Sequence, residues 1–137
     1  MAKPTKKYPV PLIGSWLNTG STTVAELMAE SGLDFVTIDM EHAPISIESL
    51  ADLLRAIRSG DPKCMALVRT PGHDYQDLKR YMDAGADGVI VPFVNYAVTA
   101  QKIVDAVKYP PQGLRGVGFA RDNGYGIRMM QKTGRCQ

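Results

Sequence analysis

At 137 residues, 45% hydrophobic and 22% charged, the chain has the composition of one ordinary globular domain, which excludes disordered and fibrous classes. Sixteen basic residues face 14 acidic ones, a formal charge of +2 with both signs scattered, so no electrostatic footprint for nucleic acid or a membrane surface is visible. No stretch approaches ~18 consecutive apolar residues, and the basic start (Lys3, Lys6, Lys7) is not followed by the apolar core of a secretory leader.

These features predict a cytoplasmic protein with a solvated arm over residues 1–10. Cys64 lies in an apolar run and Cys136 near the end, without CxxC spacing, which predicts reduced thiols rather than a disulfide frame or a metal clip. The first apolar run is Leu12 to Leu17. Thr23 with Glu26 three residues on has capping-box spacing, and predicts a helix with Val24, Leu27 and Met28 inward and Gly32 at its end. A second run spans Asp34 to Met40. Ser46 then caps a helix striped by Ile47, Leu50, Leu53, Leu54 and Ile57 and closed by Gly60. The third run, Cys64 to Val68, ends at Arg69, and a shorter helix from Asp74 carries Tyr75, Leu78 and Met82 to Gly85. The fourth run, Gly88 to Val94, precedes a helix with Ala100, Ile103, Val104 and Val107 inward, stopped by Pro110 and Pro111.

Ser31-Gly32-Leu33-Asp34 before the second run matches Ala84-Gly85-Ala86-Asp87 before the fourth, a weak internal repeat at helix-to-strand turns. Four strand-plus-helix units favour parallel strands with helical crossovers. Two architectures accommodate them: a small doubly wound sheet, or the first four βα units of a (β/α)8 TIM barrel. Polar residues at several strand ends on one rim suit the barrel, because a doubly wound sheet concentrates its chemistry at a single switch point.

The chemistry gathers where the second run stops. Asp39, Glu41 and His42 close it, Arg69 closes the third run, Asn95 the fourth, and Asp83 lies near the end of the third helix. An arginine at a strand end can clamp a carboxylate through two parallel hydrogen bonds, or form a rim salt bridge. An imidazole, with an ordinary pKa of about 6.5, can move protons if an acid fixes its tautomer, and Asp39, Glu41 or Asp83 could do so. His73, in a Pro-Gly-His-Asp turn, is expected to face solvent. The stretch Gly113 to Gly118 lacks the lysine of a phosphate loop and opens no helix after a strand, so it is expected to be a flexible rim loop. There Arg115 either meets an anionic ligand or lies in solvent. These residues alone support an anion-binding acid/base site and no named reaction.

Seven segments in register then carry a resemblance. Gly14-Ser15-Trp16-Leu17, Gly32-Leu33-Asp34-Phe35, Ile38-Asp39-Met40-Glu41-His42-Ala43-Pro44, Val68-Arg69, Asp83-Ala84-Gly85-Ala86, Val91-Pro92-Phe93-Val94-Asn95 and Tyr109-Pro110-Pro111-x-Gly113-x-Arg115-Gly116-Val117-Gly118 resemble the HpcH/HpaI aldolase/citrate lyase family, the class II pyruvate aldolases. The resemblance covers about Pro11 to Gly126. It implies a (β/α)8 barrel of the phosphoenolpyruvate/pyruvate superfamily, often a hexamer, that cleaves 4-hydroxy-2-oxo acids to pyruvate and an aldehyde through a metal-stabilised enolate.

On that resemblance Arg69 matches the arginine that contacts the keto or enolate oxygen, and His42 the acid/base that moves the 4-hydroxyl proton. Asp83 matches the aspartate that pairs with this histidine and Asp39 a site-lining acid whose role stays open; Arg115 is expected to bind substrate from its place on the rim loop, not from the resemblance. The implied cofactor is a divalent metal (magnesium, manganese, cobalt or zinc), whose two family carboxylates, a glutamate and an aspartate, fall beyond Gln137. The expected organisation is an N-terminal arm over 1–10, a half-barrel over 11–126 and an atypical tail over 127–137. The alternative is a non-catalytic half-barrel that self-associates or pairs with a complementary half.

Overall fold

The computed structural model describes residues 11–128. The arm over 1–10, Cys136 and the tail from Met129 onward lie outside the described residues. Four strands alternate with four helices: β1 (Gly14–Leu17), α1 (Thr22–Glu30), β2 (Phe35–Asp39), α2 (Ile47–Gly60), β3 (Met65–Arg69), α3 (Tyr75–Ala84), β4 (Gly88–Ile90) and α4 (Ala97–Val107), with a 3-10 turn at Arg121–Asn123. All strands are parallel, and they lie side by side in chain order, β1-β2-β3-β4. Chain order without a reversal leaves no topological switch point, so the doubly wound alternative falls and the barrel order stands. Helix contacts run α1 to α2, α2 to α3 and α3 to α4, which makes one layer on one side of the sheet.

Strand periodicity divides the side chains between two faces. Leu17, Val36, Ile38, Ala66 and Val68 point to the helices and are fully buried against Leu50, Leu53, Leu54 and Ile57 of α2, with Ala25, Ala29 and Tyr81 alongside. The alternate set, Trp16 on β1, Thr37 and Asp39 on β2, Leu67 and Arg69 on β3 and Ile90 on β4, shares the opposite face, the one a closed barrel turns inward. Pairing places Asp39 directly beside Arg69. Cys64 is a free thiol whose burial pushes its pKa up. No helix among the described residues is long and apolar enough to cross a membrane.

Several elements differ from expectation for identifiable reasons. The cap of α1 is Ser21, whose hydroxyl accepts from the Val24 amide, rather than Thr23. The buried face of α1 is Ala25 and Ala29, while Leu27 is 60% exposed and Val24 also faces out. The cause is close approach: a Cβ on Gly60 of α2 would stand 2.4 Å from the Glu26 carbonyl oxygen and 3.0 Å from the Ala29 Cβ. Only small side chains fit along that seam, so the larger ones turn away. Gly60 therefore ends the stripe by proximity, whereas Gly85 ends α3 with the left-handed backbone (φ 103°) expected of a capping glycine.

The fourth strand stops at Ile90 instead of reaching Val94. Pro92 has no amide to donate, and Phe93 adopts φ 57°, a conformation no strand accommodates. In α4 only Ala106 is buried, with Ile103 and Val107 half-buried, while Ala100 and Val104 are exposed. This helix meets α3 on one side and no further helix among the described residues, so most of its apolar stripe lacks a cover.

Candidate active site

The site begins with the polar end of β2. Asp39 is the last residue of that strand and only 1% exposed. Its carboxylate accepts from Arg69 Nε at 3.0 Å and from Arg69 Nη2 at 2.6 Å, a bidentate clamp. Oδ1 also accepts from the backbone amides of Glu41 (3.0 Å) and His42 (3.2 Å), which bends the chain over the strand end. The Arg69 guanidinium, chiefly, together with those amides, holds the Asp39 carboxyl below its ordinary range against the opposing effect of burial. The same contact, above all, raises Arg69 further.

Arg69 is fixed from two more sides. Glu41 Oε2 lies 3.4 Å from Arg69 Nε, and the Trp16 ring lies under the guanidinium with its centroid 4.7 Å away. Nη1 has no hydrogen-bond partner among the described residues, so one N–H edge remains for an incoming oxygen. Glu41 Oε1 is 3.7 Å from His42 Nε2, and the His42 side chain is 69% exposed. Thus one carboxylate links the arginine to the imidazole. The arrangement can present a cationic donor to a carbonyl or carboxylate oxygen while a solvent-facing imidazole, backed by an acid, exchanges a proton beside it.

Two other predicted residues are elsewhere. Asp83 stands in the last turn of α3, next to the start of β4 and hence at the amino-terminal ends of the strands, opposite the rim that holds His42. It faces Arg115, with 3.8 Å between Asp83 Oδ1 and Arg115 Nη1, so the His42–Asp83 pair does not form within the chain. Arg115 is 4% exposed, neither in solvent nor at the rim. It donates to Asp122 Oδ2 at 2.6 Å and lies over the Tyr109 ring at 3.9 Å, while the Tyr109 hydroxyl donates to the same Asp122 oxygen at 3.1 Å. Burial raises the Asp83 pKa despite the opposing pull of Arg115. The residues 113–118 form a loop anchored by this buried ion cluster rather than a loose rim segment. Asn95 and His73 are exposed.

Sequence motifs alone give Trp16 no part in the site, and they leave open which of Asp39, Glu41 and Asp83 meets His42. Period-two alternation along Gly14-Ser15-Trp16-Leu17 was the available signal, since it puts Trp16 on the same face as Asp39 and Arg69. As for the implied divalent metal, no group of three or more His, Cys, Asp or Glu side chains among the described residues converges to hold one. Asp39 already accepts four hydrogen bonds, and Glu41 faces Arg69 and His42, so these residues do not fit the ion.

Four parallel βα units in chain order, with a buried carboxylate–arginine clamp at the carboxyl ends of adjacent strands, define the first half of a (β/α)8 enzyme barrel. The HpcH/HpaI aldolase/citrate lyase family model matches residues 12–133, and the chain belongs to that family of aldolases and lyases. It is 42% identical over 121 residues to a 4-hydroxy-2-oxovalerate aldolase of Novosphingobium aromaticivorans, covering 88% of this chain and 45% of the relative. A hydroxypyruvate/pyruvate aldolase of Roseobacter denitrificans is 37% identical, with 84% and 45% covered. The crystal structure of an HpcH/HpaI aldolase/citrate lyase family protein from Burkholderia cenocepacia superposes with a TM-score of 0.84 at 36% identity, covering 91% of this chain and 51% of that one. The chain thus spans about half the length of the relatives it matches.

Proposed function

We propose that this chain carries the substrate-orienting and proton-moving half of a carbon–carbon lyase that splits 4-hydroxy-2-oxo acids into pyruvate and an aldehyde. The observation that carries the reading is the Asp39–Arg69 clamp at the strand ends, with Glu41 linking Arg69 to His42. Relatives named as 4-hydroxy-2-oxo-acid aldolases support the substrate class.

In this reading His42 accepts the proton of the substrate 4-hydroxyl. The electron pair of the C3–C4 bond then moves toward C2 as the aldehyde forms at C4, leaving an enolate whose oxygen takes up charge. Arg69, presenting Nη1, donates to that oxygen, and a proton returned to C3 yields pyruvate. Asp39 touches no reacting atom; it orients Arg69. Glu41 offsets the charge His42 gains. Asp83 and Arg115 take no part in these steps and anchor the 113–126 segment.

The test is pyruvate release from 4-hydroxy-2-oxovalerate, followed through a coupled reduction, with manganese present or absent. Turnover lost in both His42→Ala and Arg69→Ala supports the assignment. Unchanged turnover in either removes that residue from the mechanism, and no turnover by the parent chain under either condition rejects the reading for this chain acting alone.

A second reading rests on a different feature. Among the described residues β1 and β4 each pair on one side only, and Ile13, Trp16 and Ile90 are exposed on or beside them. On this reading the chain associates edge to edge as a homo-oligomer, and light scattering that returns a stable monomer removes it.

A further inference from the structure

At the opposite end of the sheet from the candidate site, a cavity of about 380 Å3 is lined by Arg58 at the end of α2, by Gly85, Ala86 and Asp87 in the turn before β4, and by Arg121, Asp122 and Arg128. Its charges are unevenly matched. Arg58 is paired with Asp87 and also donates to the carbonyls of Pro62 and Cys64, both at 3.1 Å. Asp122 is paired with Arg115. Both acids are therefore committed to other cations, and neither Arg121 nor Arg128 has a carboxylate within ion-pair distance among the described residues. The stretches 1–10 and 129–137 contain no Asp or Glu side chain that could supply one.

Of the two unpaired guanidiniums, Arg121 is held by a hydrogen bond and Arg128 lies exposed against the Gly124 turn. Arg121 Nη1 donates to the Ala84 carbonyl at 3.3 Å and lies where a Cβ on Gly85 would stand 2.5 Å away. Arg128 Nε lies 2.9 Å from the position of a Cβ on Gly124. Both glycines have left-handed backbones, so each serves its turn and leaves room for an arginine at once. Burial first, then the nearby cations Arg55 and Arg58, hold Arg121 below its ordinary pKa against the opposing pull of Tyr125 and Asp87. Two planar donor groups with unused N–H edges match the oxygens of a tetrahedral anion. The volume exceeds that of a bare phosphate ion and lies in the range of small-molecule sites.

We propose that this cavity binds a small phosphate monoester, with Arg121 and Arg128 holding the phosphoryl group and the remaining volume taking its organic part. The site is remote from the Asp39–Arg69 clamp, so its ligand is not the substrate of the reaction proposed above, and its test does not depend on that reaction.

The experiment is calorimetric titration of the chain with glycerol 3-phosphate and, separately, inorganic phosphate, at ionic strength held constant with chloride. One saturable site is expected, weakened at least about tenfold by Arg121→Gln and by Arg128→Gln and unchanged by Arg80→Gln on the exposed side of α3. Tighter binding of the monoester supports the proposal in full; equal affinity for the two probes overturns the part that assigns the organic group to the cavity. Absence of a saturable heat, or equal affinity in Arg128→Gln and the parent chain, overturns the site. Arg128 is exposed and makes no side-chain hydrogen bond among the described residues, so that variant decides the matter even if Arg121→Gln fails to fold.

Discussion

Asp39 and Arg69 are register partners on adjacent parallel strands, and their side chains meet in a two-point clamp at 2.6 and 3.0 Å at the strand ends. Geometry of this kind needs the planar fork of arginine. Arg69→Lys keeps the charge but forfeits the second hydrogen bond and the stacking on Trp16. On the proposed mechanism, Arg69→Lys lowers kcat/KM by about 100-fold, equivalent to about 2.7 kcal/mol of transition-state stabilisation. Steady-state kinetics on pyruvate formation check this, and a lysine variant with parental kcat/KM would show that charge alone suffices.

Asp39→Asn separates positioning from folding. The amide keeps the shape but meets a guanidinium with a donor as well as an acceptor, and the partly buried Arg69 is left with Glu41 as its one carboxylate neighbour. A loss of about 2–3 kcal/mol is expected in denaturant unfolding at neutral pH. A loss below about 0.5 kcal/mol would mean that Glu41 takes over the pairing.

The two perturbed aspartates respond to pH in opposite directions. Asp39 has a lowered native pKa, so its contribution is present above the unfolded value of about 3.9 and is lost as pH falls through the native pKa. Asp83 has a raised native pKa, so its contribution is present below that unfolded value and is lost as pH rises through the native one. The stability advantage of the parent chain over Asp39→Asn therefore shrinks below about pH 4, while its standing against Asp83→Asn worsens from about pH 4 upward. Urea unfolding across pH reads both slopes. Parallel curves for parent and Asp83→Asn would show that Arg115 cancels the effect of burial at Asp83.

How far the fold was legible follows from what each signal measures. The α2 stripe and the alternation in β2 report burial directly, and the structure buries Leu50, Leu53, Leu54 and Ile57 as the spacing predicts. In α1 the same rule points the wrong way, because periodicity ranks residues by hydrophobicity while a close helix seam selects by size, as Ala25, Ala29 and Gly60 do. The clamp of Asp39 on Arg69 was half legible: both strand ends could be read, but which of three acids met which base depends on register. Asp83 and Arg115 lie 32 positions apart, and no local pattern foretells that the 113–122 segment folds back under α3.

That α1–α2 seam gives a direct stability test. Adding one methyl at Gly60 puts a carbon 2.4 Å from the Glu26 backbone oxygen, which cannot move without displacing α1. The better helix propensity of alanine, about 1 kcal/mol, works in the other direction. Gly60→Ala should therefore destabilise by about 1–2 kcal/mol net, as overpacked sites do. A melting temperature at or above that of the parent would show that the two helices can separate at little expense.

The ion cluster behind the 113–126 segment makes the sharpest prediction, because its members are so unequally engaged. Asp122 holds Arg115 at 2.6 Å, whereas Asp83 stands 3.8 Å away, and Arg115 Nε and Nη1 have no hydrogen-bond partner among the described residues. Removing the close carboxylate with Asp122→Asn leaves a buried guanidinium facing one distant acid and also takes the charge from the acceptor of the Tyr109 hydroxyl. A loss of about 3–5 kcal/mol is expected, the magnitude of a broken buried pair. Arg115→Met in the Asp122→Asn background removes the stranded cation and should restore more than half of that loss, since the aliphatic chain can still lie on the Tyr109 ring. Urea midpoints of the single and double variants measure the coupling. If the double variant is the less stable by the sum of the two single losses, Arg115 holds the segment through contacts other than its charge, and the cluster is not its anchor.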